Sequence, residues 1–327
     1  MPSAHTFTAP PLAPGADARA RIVCVSVDAE SLHTVADAWR PTASGQTRAV
    51  RAAIAAALDR PGSAALAWYG PFPSHLAPLS ARDAATALLR DGWRDGVAHL
   101  DAMRARLGVT EIAPPSIIGR RQVWREEGDD IEVDRALRGD FDTAWRGTRR
   151  HRPARGRQRL TIVSPFGCNA HTAPEDYLWT GVAAVLLCDL LEGAGYAVEL
   201  RGADVNVTAQ HTGDTYIDVL YKRAGEPLVL ATALAALAHV GIARTFGFLA
   251  VLATGGTMDS GLGKSRPDLL AEMSVHIARH SASMVPVPDI VAPVVTSQAQ
   301  CAAMVEGLLA WLDGGAMPPM LTLTEGD

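Results

Sequence analysis

The stretch Arg159-Leu160-Thr161-Ile162-Val163-Ser164-Pro165-Phe166-Gly167-Cys168 decides the fold. Leu160, Ile162 and Val163 give a short buried strand, and Pro165 and Gly167 end it in a loop. Downstream, Thr172 and Glu175 have capping-box spacing, and Pro174 falls in the first turn of the helix they open. That helix runs to residue 191, is apolar nearly all round (Val182, Val185, Leu186, Leu190), and stops at Gly193 and Gly195, as expected of a helix that covers a sheet. Residues 197–201 and 216–221 alternate as strands. Then follow a helix at 227–239, a strand at 246–253, a helix at 267–280, a strand at 284–287 or 290–295, and a last helix at 297–312 with Met304, Leu308 and Leu312 on one face. Strands alternating with helices imply an α/β, Rossmann-like, mostly parallel sheet with helices on both faces.

The region before this sheet is helical-rich and of α+β type. Residues 1–20 read as a flexible tail, and 21–125 as an N-terminal region. Ile22, Val23, Val25 and Val27 give that region a strand; helices are expected at 31–39, 47–58, 80–90 and 92–107, and turns at 61–63 and 69–73. An acidic run (Glu126, Glu127, Asp129, Asp130, Glu132, Asp134) precedes a basic one (Arg146, Arg149, Arg150, Arg152, Arg155, Arg157, Arg159), and blocks of opposite sign this close can face each other or a partner. Residues 126–158 are read as an acidic, then Arg-rich linker, 159–315 as the sheet domain and 316–327 as a tail.

The chain has 327 residues, 48% of them hydrophobic, and a formal charge of −5. A core of that content argues against global disorder, and the charge predicts no whole-surface attraction to nucleic acid or acidic membranes. Cys24, Cys168, Cys188 and Cys301 show no zinc or redox spacing and suit a reducing cytoplasm. No signal peptide is visible at the start. The longest apolar stretch, 228–253, is interrupted by His239 and Arg244, short of the run of about 20 apolar residues that a membrane span needs. A cytoplasmic protein without a membrane segment is the expectation.

The strand ending at Ser164 and the segment Thr254-Gly255-Gly256-Thr257-Met258-Asp259-Ser260 resemble the metal-site frame of a von Willebrand factor A-like domain. That frame carries Asp-x-Ser-x-Ser after its first strand and Thr-Asp-Gly after its fourth. Here Ser164-Pro165-Phe166-Gly167-Cys168 and Thr254-Gly255-Gly256 stand in their places, so both carboxylates are gone. With the block 128–145, the unit 179–200, the run 220–228 and Gly92-Trp93-Arg94-Asp95-Gly96, the chain resembles an uncharacterised family found mainly in phages, prophages and mobile elements. The likeness covers roughly residues 85–315 and brings no activity with it. It implies a degenerate von Willebrand A-like domain and, for a phage-encoded chain, residence in the host cytoplasm.

Ser164 keeps an oxygen, but Phe166 and Cys168 do not suit a hard cation, and no metal or other cofactor is expected. Gly261-Leu262-Gly263-Lys264-Ser265 lacks the first glycine of a phosphate-binding loop, since Met258 stands there. His276 and His280 share a predicted helix face, with no Glu at 277 to complete a zinc motif. The expected role is non-enzymatic binding of a macromolecule, another protein first, by the loops at the carboxyl ends of the strands: Ser164, Phe166, Cys168, Asn169, His171, Thr254, Thr257, Met258, Asp259, Ser260 and Lys264. The alternative is nucleic-acid binding through Arg146, Arg149, Arg150, Arg152, Arg155 and Arg157.

Overall fold

The computed structural model describes residues 3–9, 20–28, 52–53, 55–108, 119–125, 130–131, 133–141, 144–151, 159–167, 172–206, 214–247, 286, 288–312 and 322–323. Its strands are β1 (Ser3–Ala9), β2 (Ala20–Asp28), β3 (Gly119–Arg125), β4 (Asp130–Ile131), β5 (Trp145–His151), β6 (Arg159–Pro165), β7 (Ala197–Asn206), β8 (Asp214–Lys222), β9 (Ile290–Val291) and β10 (Thr322–Leu323). Its helices are α1 (Ala81–Asp91), α2 (Arg94–Leu107), α3 (Val133–Leu137), α4 (Pro174–Gly193), α5 (Leu230–Ala238) and α6 (Gln298–Leu312).

Seven strands form one mixed α/β sheet in the order β1-β2-β8-β7-β6-β9-β10. β2 lies parallel to β8, and β6 lies parallel to both β7 and β9. The two edge pairings and the central β7/β8 pairing are antiparallel. Pairing of Leu160 with Val198 and of Ile162 with Leu200 puts these residues on one face. They share a core with Val185 and Leu186 of α4, Leu234 and Leu237 of α5, and Leu88, Leu100 and Met103 of α1 and α2. The N-terminal helices therefore belong to the core of the sheet domain. Val163 and Tyr216, on the opposite face, are as fully buried. Both faces of the sheet are thus covered, the usual condition of strands with parallel neighbours.

Close helix packing fixes the covering layer. A Cβ on Gly181 of α4 would overlap the backbone of Ala238 at the end of α5. His239, next in the chain, is buried between Phe72 and Trp93, with ring centroids 4.5 and 4.9 Å away. Its Nδ1 accepts from the Gly241 amide at 3.2 Å. Burial lowers its pKa to about 4, so the ring is neutral near pH 7.

Several expectations change. Residues 3–9, read as tail, pair with β2 along seven positions. Residues 126–158, read as linker, contribute β4, α3 and β5, and with β3 they form a second sheet in the order β3-β5-β4. The capping box at Thr172 does not form: the N-cap is Ala173, without a side-chain bond, and Pro174 starts the helix. The Thr172 carbonyl instead accepts from Arg244 Nη2 at 2.7 Å, while Arg244 also donates to the Trp68 carbonyl and lies 5.1 Å over the Trp68 ring. The strand expected at 246–253 begins instead in a π turn, Ala243–Gly247, and 248–253 lie outside the described residues. So do the helices expected at 31–39 and 267–280. No single described helix is long and apolar enough to cross a membrane.

The β7/β8 seam carries buried charge. Arg201 Nε and Nη2 donate to the two Asp218 oxygens at 2.8 and 2.6 Å, and Nη1 donates to Glu199 at 2.8 Å. Arg159 closes the chain on the other Glu199 oxygen. Burial opposes the Arg201 charge, but its bonds to Asp218 and Glu199 outweigh that and raise its pKa. Beside it the register shifts by one residue, which sets Lys222 opposite Leu200 with its ammonium on the Val198 carbonyl at 2.8 Å and on Glu192 of α4 at 2.5 Å. Removing one partner from such a group leaves uncompensated charge in the interior. Arg201→Ala should therefore lower the unfolding free energy by about 3–5 kcal/mol in a urea titration, and a loss below about 1 kcal/mol would contradict a buried, coupled pair.

Candidate functional site

Three places in the structure bear on function. The first is the carboxyl end of β6. Ser164 is fully buried, and among the described residues its hydroxyl has no hydrogen-bond partner. Phe166 is fully buried too: its amide donates to the Ala203 carbonyl at 2.8 Å, and its carbonyl accepts from Tyr177 Oη at 2.6 Å. The reading of Phe166 as an exposed binding residue is thereby corrected; its ring is core and cannot meet a partner directly. A Cβ on Gly167 would overlap the Asp204 carboxyl, so a larger residue there would have to displace that side chain. Asp204 lies near the carboxyl end of β7. Burial pushes its carboxyl up to about 6, offset in part by a bond from the Val205 backbone. Sequence reasoning passed over Asp204 because it sits inside an otherwise ordinary strand. Its only signal is an acid on the face that carries Val198 and Leu200.

Cys168, Asn169, His171, Thr254, Thr257, Met258, Asp259, Ser260 and Lys264, with His276 and His280, lie outside the described residues. Among the described residues no group of three His, Cys, Asp or Glu is placed to hold a metal ion.

The second place is the small sheet. Arg146, Arg149 and Arg150 sit on β5, while Arg152, Arg155 and Arg157 are outside the described residues. β3 runs antiparallel to β5 and brings Arg120, Arg121 and Arg125, which sequence reasoning did not include. The register sets Arg120 opposite Arg150 and Arg121 opposite Arg149. Trp124 is opposite Arg146, and Trp145 opposite Arg125. On the other side of β5, Asp130 of β4 pairs in register with Arg146.

The third place is a cleft of about 400 Å³ where α1 meets α2, bordered by Gly92, Arg94 and Asp95. Much of the motif at 92–96 is structural. Gly92 ends α1 with φ 79°, and a Cβ there would lie 2.7 Å from Ala231 of α5. Trp93 donates its amide to the Ala231 carbonyl at 2.9 Å, and a Cβ on Gly96 would lie 2.5 Å from the Trp93 ring. These contacts seat the α1–α2 corner on α5.

A family profile described as "Domain of unknown function (DUF7192)" matches residues 30–307. The match spans most of the chain, and the protein belongs to that family. No curated protein and no solved structure matches it.

The Asp204 geometry sets a pH signature. Its folded pKa, about 6, lies above the ordinary 3.8, so its stabilising share is present below pH 4 and is lost as pH rises through 6. Asp204→Asn should raise stability at pH 7 by on the order of 2 kcal/mol and leave it unchanged at pH 4, read by urea titration at both pH values. Lower stability of the variant at pH 7 would mean that the charged carboxylate has a favourable partner.

Proposed function

We propose that this member of the family binds nucleic acid through the sheet β3-β5-β4. The observation that carries the reading is the cross-strand register of Arg120 with Arg150 and of Arg121 with Arg149. Like charges directly opposite each other destabilise a strand pair. Two such pairs in succession, with Asp130 the only acid in the three strands, are better matched to an external polyanion than to the rest of this chain. Phosphates spaced along a nucleic-acid backbone supply that polyanion, and arginine meets them with a planar fork of donors. Half-buried Trp145 and Phe141, the latter 63% exposed, are aromatic groups of the kind that bases stack on, and Trp124 stands opposite Arg146 in the register.

In the same reading the larger sheet is von Willebrand A-like with its cation site lost, and it serves as the rigid body that carries the basic sheet. A second reading keeps the loops beyond β6 as the contact surface, for a protein partner. It is favoured by the buried Ser164 hydroxyl at the end of β6, without a partner among the described residues, and by Asp204 packed under Gly167.

Fluorescence anisotropy with a labelled DNA or RNA oligonucleotide over a range of salt separates the two. The nucleic-acid reading expects the affinity to fall with salt. Arg149→Ala/Arg150→Ala should then flatten the log–log slope by about 1.4 on single strands or about 1.8 on duplex. Absence of binding at low salt, or an unchanged slope in the double variant, would overturn it.

A further inference from the structure

We propose that the cleft between α1 and α2 binds a small zwitterion with an apolar body, an apolar α-amino acid, with Arg94 holding its carboxylate and Asp95 its ammonium. The proposal is independent of the nucleic-acid reading. The floor of the cleft is apolar, made by Pro73, Leu76, Ala87 and Leu88. Its polar border is His75, Asp91, Arg94 and Asp95.

Packing accounts for Gly92, Trp93 and Gly96; of the two residues between, Asp95 lies in the first turn of α2, where a carboxylate is favourable, and Arg94 has no such role. Arg94 and Asp95 are exposed, and among the described residues neither side chain has an ion pair or a hydrogen bond. Asp91 differs, because Arg90 holds both its oxygens at 2.8 and 2.9 Å. The cleft therefore offers one uncompensated cation and one uncompensated anion on adjacent residues, above a greasy floor. A simple anion would face Asp91 and Asp95, and a simple cation would face Arg94. A molecule that carries both charges beside an apolar side chain meets Arg94, Asp95 and the apolar floor at once. Its volume is right as well, since sites for small ligands begin at about 300 Å³ and are mostly apolar with a few placed polar groups.

The test is calorimetric titration of the full chain with L-leucine, N-acetyl-L-leucine and L-leucinamide. Leucine should bind, and each blocked analogue, lacking one charge, should bind at least about tenfold more weakly, as expected when one charge-assisted bond is lost. In Arg94→Ala leucine should bind no better than leucinamide does, and in Asp95→Asn no better than N-acetyl-leucine. Both side chains are exposed and unpaired, so both variants should melt at the wild-type temperature. Failure of leucine to bind at millimolar concentration, equal binding of the blocked analogues, indifference of the two variants, or a lowered melting temperature that reveals a structural role would each overturn the proposal.

Discussion

Arg201 grips Asp218 with two hydrogen bonds at the antiparallel seam inside the large sheet, and the architecture divides there. On one side β2 and β8 run parallel, and on the other β7, β6 and β9 do. Without the seam, the N-terminal strands have nothing to join and the second half has an open edge. The pair is buried, and burial makes charge expensive unless geometry and neighbours are good. Here Glu199 takes the remaining direction of the guanidinium, and Arg159 takes the remaining oxygen of Glu199. The same seam fixes the height of β7, which sets Asp204 beneath Gly167 at the mouth of the β6 loop.

What could be read in the sequence follows from how local the determining interactions are. β6, α4, β7 and β8 were legible because each carries its own apolar pattern. Arg244 illustrates the opposite case. Its guanidinium reaches the Thr172 carbonyl 72 residues earlier, and the α4 start that looked like a capping box is held from outside instead. β1 was read as tail because Ser3–Ala9 becomes a strand only by pairing with β2. β5 was read as linker because its arginines look like a solvated charge run until β3 lies beside them. Phe166 was read into the binding loop after β6, yet its backbone bonds to Ala203 and Tyr177 and its burial make it core. Of the candidate contacts, the arginines of β5 were visible in advance, while their partners on β3, Asp204 and the Arg94–Asp95 pair needed three dimensions.

At the end of β6, Ser164 offers a hydroxyl with no partner among the described residues, Phe166 a core ring, and Asp204 of β7 a buried carboxyl beneath Gly167. On the small sheet, six arginines on two strands stand opposite arginine or tryptophan in the strand register. In the proposed reading the two sheets divide the work: the large core sets stability, and the arginines of the small sheet make the contact with the nucleic acid.

The most direct measurement is hydrogen–deuterium exchange of the whole chain with and without an oligonucleotide at low salt. Binding through the basic sheet predicts added protection of the amides of Gly119–Arg125 and Trp145–His151, with Arg159–Pro165 unchanged. Protection confined to the loop after Pro165, or none anywhere, would contradict the account.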